Sequence, residues 1–334
     1  MIPDCLRPIS VRRLPISRPR PFAVWPALLL AAFVLFAAGC AKKPLPSYDN
    51  AERAWNVFQA GYRVRPPAPA FVAACSLAWT SGNRSARILL DFWGEFDQHG
   101  AGSVPAVVRM DAWSNLGGSL SKLRQGPDGL AAFYPDQMKA YTHADPILGA
   151  RLLGLPFPFS LADFAALLHG DFTDLIPAHY DAVTALDNGA YRFGFADARV
   201  QTLTLDKAAR PLRMTGRTVV PEEYADSLGG EWRIDFSRYP DEPDLIITDK
   251  SDGLEQTTRV QRAPMAHRLF LTLPGGHRGS LRIQSRELKL RPWPEQATAL
   301  RLPEAVQPRA LDGVQRDWTT GRVPASVEAS PAAP

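Results

Sequence analysis

The 334-residue chain predicts a mainly β (α+β) fold, in which a strongly curved antiparallel sheet of about ten strands is covered by a helical lid. Three observations predict it. Apolar and polar residues alternate with period two along several segments, the pattern of strands with one buried and one wet face. Turn signals such as Gly126-Pro127-Asp128-Gly129 separate those segments. Two short Leu/Phe-rich stretches carry helix start and stop signals and interrupt the strands.

The N-terminus is a targeting segment. Residues 1–22 carry Arg7, Arg12, Arg13, Arg18 and Arg20 against one acid, Asp4. The uncharged run from Ala23 to Ala38 contains Pro26 and is shorter than the ~20 residues a spanning helix needs. A basic region, an apolar region and small residues before a cleavage point make 1–39 a secretory signal peptide. Ala37-Ala38-Gly39-Cys40 resembles the lipobox of bacterial lipoproteins, although Ala37 stands where Leu is usual. The resemblance implies a covalent diacylglyceryl (acyl) lipid on Cys40, with no other cofactor, and cleavage just before it. A plain signal peptide or an uncleaved anchor is the alternative. The flanks of Arg12-Arg13 do not fit a twin-arginine signal.

Removing five Arg and one Asp with the signal takes 38 basic and 34 acidic residues to 33 of each. The pI of about 9.0 therefore belongs to the signal. A neutral mature chain gives no argument for nucleic acid as a partner. Cys75 is then the one cysteine besides the lipidated one, so no disulfide framework exists, and its apolar neighbours make it a buried small hydrophobe.

Residues 40–46 form a short tether. Ala51, Ala54, Trp55 and Phe58 repeat at helical spacing over about 47–60, and Gly61 and Pro66 end that helix. In 84–96, Ala86, Ile88, Leu90, Phe92 and Phe96 share one face, with Arg87, Asp91, Glu95 and Asp97 on the other. In 104–112, Val104, Ala106, Val108 and Met110 oppose Arg109 and Asp111, which are expected in solvent. Further strands are expected on both sides of the 126–129 turn and at 190–195, 199–205, 211–219, 231–236, 268–273 and 279–290. A helix opens at Asp145-Pro146, a good cap and first residue, carries Ile147, Leu148, Leu152 and Leu153, and ends at Gly154. Another opens at Ser160 with Asp163 three later, carries Leu161, Phe164, Leu167 and Leu168, and stops at Gly170. From about Leu302 the chain is Pro/Ala/Arg-rich, and 303–334 reads as a disordered tail. One domain over 47–302 is the simplest count.

Catalytic chemistry is not legible. The six His residues stand in no metal-binding spacing, and there is no Gly-x-Ser-x-Gly elbow. Ser119-x-x-Lys122 would have to open a helix to act as a nucleophile pair, but it lies in a strand-like run. Gly275-Gly276-His277-Arg278-Gly279 reads as a turn. The reading is not an enzyme, with no metal site.

What does carry information is an apolar sheet face (Leu90, Phe92, Val108, Met110, Phe193, Trp232, Ile234) with the helix pair as its natural cover. Such a face holds acyl chains at roughly 0.8 kcal/mol per buried methylene, or it is only a sandwich-like core without a cavity. The order of features over 104–170 resembles the LolB-like outer-membrane lipoprotein receptors. Strand Val107 to Trp113 leads into Ser114-Asn115-Leu116-Gly117-Gly118. A second strand, a hairpin, Leu152-Leu153-Gly154-Leu155-Pro156-Phe157-Pro158 and Leu161 to Gly170 follow.

The resemblance implies a half-open β-barrel with helices inside. It also implies a periplasm-facing, lipid-anchored protein of the cell outer membrane that takes lipoproteins from a soluble periplasmic carrier. Such a protein binds lipoprotein or lipid acyl chains and helps insert them into the membrane. Leu116 matches that family's protruding insertion residue, though Asn115 replaces the Pro expected before it. The expected lining is Phe92, Val108, Met110, Leu148, Leu152, Phe164, Leu168, Phe193 and Trp232. The competing reading is a docking subunit of an envelope complex with the same fold and no lipid cargo, which a collapsed interior would support.

Overall fold

A computed structural model describes residue 47 and residues 49–96, 107–155, 158–218, 220–242, 245–251, 254–260 and 262–313. The signal segment, Cys40 and the tether lie outside the described residues. The chain from Pro46 to Pro334 is one compact unit.

Two antiparallel meanders build a single sheet. The first runs through β1 (Ala70–Ser81), β2 (Arg84–Glu95), β3 (Val107–Ser114), β4 (Ser119–Gly126), β5 (Gly129–Tyr134) and β6 (Lys139–His143). The second runs through β7 (Ala182–Ala185), β8 (Tyr191–Gly194), β9 (Val200–Leu205), β10 (Pro211–Thr218), β11 (Gly230–Ser237), β14 (Arg268–Thr272) and β15 (Arg278–Lys289). Antiparallel pairing of β15 with β1 joins them. The hairpin of β12 (Ile246–Ser251) and β13 (Leu254–Arg259) branches off, with β12 parallel to β15. A short β16 (Pro308–Ala310) runs parallel to β6. The path ends at β16 and at β7, which do not pair, so the sheet stays open.

Sixteen strands among the described residues replace the ten or so expected. Alternation misses β1, β6, β7, β12, β13 and β16. β1 reads AFVAACSLAWTS, uncharged and buried along most of both faces, so it has no polar side to alternate. β7 has four residues, all exposed, and β16 has three, one of them exposed, too few for a period to register.

Three helices fill the concave side. In α1 (Ala51–Tyr62) the Asn50 side chain accepts from the Arg53 amide at 2.7 Å, and Ala54, Trp55, Phe58 and Tyr62 are buried. α2 (Pro146–Leu152) has Pro at its first position, and Asp145 accepts from the Ile147 and Leu148 amides. α3 (Leu161–Leu168) opens on a complete capping box between Ser160 and Asp163. It closes at Gly170, whose φ of +73° suits glycine; a Cβ there would also meet Met265 Sδ at 2.6 Å.

The other face is covered too, which the sequence did not suggest. α4 (Ala225–Leu228) lies in the β10–β11 connection, and α5 (Glu295–Thr298) begins a strap after β15. Trp93 Nε1 donates to the Ala297 carbonyl at 2.9 Å, Arg109 Nη1 to Ala299 at 2.7 Å and Arg124 Nε to Thr298 at 3.2 Å. Leu300, Leu302 and Val306 pack on Ala131, Phe133 and Ala140. Arg109 and Asp111, expected in solvent, are therefore buried, and they pair with each other at 2.9 Å. The tail expected to be disordered from 303 is instead structured through 313, because Val306 is buried and β16 joins the sheet. Residues 314–334 lie outside the described residues.

Candidate functional site

The interior is apolar and filled. Phe92, Val108, Met110, Phe164, Leu168, Phe193 and Trp232 belong to one buried cluster. Leu148 is buried outside it, and Leu152 is half-buried. Cross-strand register explains the sheet part, since Phe92 stands opposite Met110 and Gly94 opposite Val108. The Phe92 ring meets Phe164 of α3 with centroids 5.5 Å apart. Phe193 meets Trp55 of α1 at 4.9 Å, and Trp232 meets Phe159 edge-on at 4.9 Å. Gly216 opposite Trp232 makes room for the indole, because a Cβ there would lie 2.4 Å from its ring. Phe92 and Phe193 thus meet helix side chains, and Trp232 meets Phe159, rather than empty space.

Free space remains beside α3. A narrow crevice of about 20 Å3 is lined by Leu167, Leu168, Phe172, Phe236, Leu269 and Ile283, with Tyr62, Tyr239, Met265 and Arg286 at its borders. Of the expected lining residues only Leu168 reaches it. The crevice walls on β11, β14 and β15 were not singled out from the sequence, although Phe236 and Leu269 sit at alternating positions and carried the signal.

Polar ties hold the helices down. Arg286, itself buried, donates to the Leu168 carbonyl at 3.1 Å and to the Ala266 carbonyl at 2.7 Å. Asp163 pairs with Arg199 at 2.8 Å, and Arg151 at the end of α2 donates to the Leu228 carbonyl at 2.9 Å. His169 caps α3 fully buried, and its Nδ1 donates to the Ala165 carbonyl at 2.8 Å. Burial pushes the imidazole down to about 4; Arg286 and Arg262 add to that shift, and the Ala165 and Val72 carbonyls oppose it. Burial likewise pushes the Cys75 thiol up to about 12, so it is a packing residue.

Leu116 sits apart from all of this. The turn between β3 and β4 is closed by the Ser114 amide donating to the Gly118 carbonyl at 2.8 Å and by Gly117 and Gly118 amides donating to Ser114. Gly117 takes the left-handed φ of +83° that the turn requires. Leu116 at its tip is 98% exposed, the most exposed of the large apolar residues described.

Ser119-x-x-Lys122 lies on β4, not at a helix start. Among the described residues no group of three or more His, Cys, Asp and Glu is placed to hold a metal. Among them, too, no helix is long and apolar enough to cross a membrane.

No family model matches the chain, and no curated protein matches it. Solved structures do. A LolA-superfamily protein from Nitrosomonas europaea aligns at 10% identity and a TM-score of 0.45, over 74% of this chain and 97% of that one. A putative outer-membrane lipoprotein-sorting domain from Vibrio parahaemolyticus aligns at 13% and 0.35, over 71% and 92%. A DUF1329 family protein from Desulfovibrio piger aligns at 9% and 0.38, over 72% and 94%. These three structures are what the chain is similar to in architecture.

Proposed function

We propose that this chain is a lipid-anchored, periplasm-facing protein of the outer membrane that binds acyl chains of lipoproteins or lipids beneath α2 and α3 and helps insert them into the membrane. The observation that carries the reading is the concave, apolar sheet face closed by helices that are themselves apolar. Burying Leu161, Phe164, Leu167 and Leu168 of α3 is worth roughly 1.5–3 kcal/mol each, or about 6–12 kcal/mol in all. An acyl chain of about 16 carbons regains a similar amount at ~0.8 kcal/mol per methylene. For the apolar contacts alone, exchange of helix for acyl chain is therefore close to balanced; the Arg286 and Arg199 ties to α3 add to the helix side. The crevice beside Leu168 is where a chain end would start, and the exposed Leu116 suits contact with a bilayer.

One observation favours the docking-subunit reading: with the helices in place the interior is filled. Native mass spectrometry of Pro46–Pro334 with an acylated peptide, and with the same peptide unacylated, separates the two. An adduct with the acylated peptide alone is expected. No adduct with either would leave the docking reading.

A further inference from the structure

Next to the apolar crevice lies a second, open hollow of about 610 Å3 lined by Arg238, His267, Arg282 and Gln284. The two share Tyr239 and Ile283 as a common wall. Apolar space and basic space thus lie on either side of two residues. Three further observations make the hollow more than a wet surface. Arg238 holds a left-handed φ of +58°, uncommon for a residue with a side chain, and its carbonyl accepts from the His267 amide at 3.1 Å. Arg268 stands directly across from Arg282 in the β14–β15 register, and like charges at that spacing repel. No acid answers them: Arg238, Arg268 and Arg282 have no ion pair among the described residues, and the nearby Glu242 is paired with Arg259. Arg268 is engaged by Ser280 Oγ and the Phe270 ring, so the positive charge without an acidic partner that faces the hollow beside the crevice is that of Arg238 and Arg282.

We propose that crevice and hollow are two halves of one site for an anionic, phosphate-bearing lipid, with an acyl chain end in the crevice and the phosphate on Arg238, Arg282 and His267. Arginines suit that headgroup because they offer forked, charge-assisted hydrogen bonds to phosphate oxygens. The assignment rests on the acyl-binding reading and narrows its ligand class. A neutral mature chain makes the local excess of positive charge a matter of placement, not of overall composition.

The test is calorimetric titration of Pro46–Pro334 with two single-chain lysophospholipids of equal chain length, one with a phosphoglycerol and one with a phosphocholine headgroup, below their micelle concentrations. Inorganic phosphate is the third titrant. The phosphoglycerol lipid is expected to bind at least tenfold more tightly than the phosphocholine lipid. The Arg238→Gln, Arg282→Gln double variant should erase that difference while its thermal midpoint stays unchanged, both positions being exposed. Equal binding of the two lipids, indifferent to the double variant, would overturn the headgroup assignment and leave the acyl reading intact. Inorganic phosphate binding as tightly as the lipid would overturn the lipid assignment in favour of a plain anion site. No binding of either lipid would overturn both.

Discussion

At the residue scale, two positions separate surface function from core stability. Leu116 is held out by its turn and touches nothing that stabilises the fold. Leu116→Asp should therefore shift stability by no more than about 0.5 kcal/mol, while transfer of an acylated peptide into vesicles falls several-fold. A loss of stability in denaturant titration would show that the side chain is structural. His169 is the opposite case. Its folded-state pKa is lowered to about 4 from 6.5, so the unfolded chain takes up the proton first as pH falls. The stabilisation is whole above pH 6.5 and is lost between there and about pH 4, an order of about 3 kcal/mol. Urea midpoints across that window should decline, and His169→Gln should flatten this part of the decline. Cys75 was legible in the sequence as a buried hydrophobe. The complete burial of His169 was not, because Phe71 of β1 and Phe96 just after β2, which pack against its ring, are distant in sequence.

Elements whose local chemistry is self-contained were legible. α2 and α3 follow from Asp145-Pro146 and from Ser160 with Asp163, since a cap acts within four residues. β2 and β3 follow from alternation. The strap after β15 was read as a tail because its order comes from what it covers, not from its own pattern. Its role has a measurable consequence. Leu300 is 1% exposed against β5 and β6, so Leu300→Asp should cost about 3–5 kcal/mol by burying a charge without a partner. Truncation after Arg291 should destabilise as well, because buried Arg109 and Arg124 lose their carbonyl acceptors. A truncated chain with the parent's urea midpoint would contradict this account of the strap.

For the compact unit as a whole, one sheet is covered on both faces by different agents, helices on the concave side and the strap on the other. That division assigns flexibility. Strap contacts anchor buried Arg109 and Arg124, whereas α2 and α3 combine apolar contact, which an acyl chain can replace, with polar ties through Arg151, Arg199 and Arg286. The candidate lining was legible from the sequence as apolar residues on one face. What those residues touch was not, because periodicity reports which side of a strand is buried and never by what. Hence the expected cavity is occupied by Phe164 and Trp55, and the free crevice lies at strands β11, β14 and β15.

Amide hydrogen exchange of Pro46–Pro334, with and without a palmitoylated peptide, tests the displacement most directly. The expected result is faster exchange over 146–168 when the acylated peptide binds, with β1 to β5 unchanged and no effect from the unacylated peptide. Binding that leaves exchange over 146–168 unchanged or slower would contradict it, because the acyl chain would then lie somewhere other than in the place of the helices.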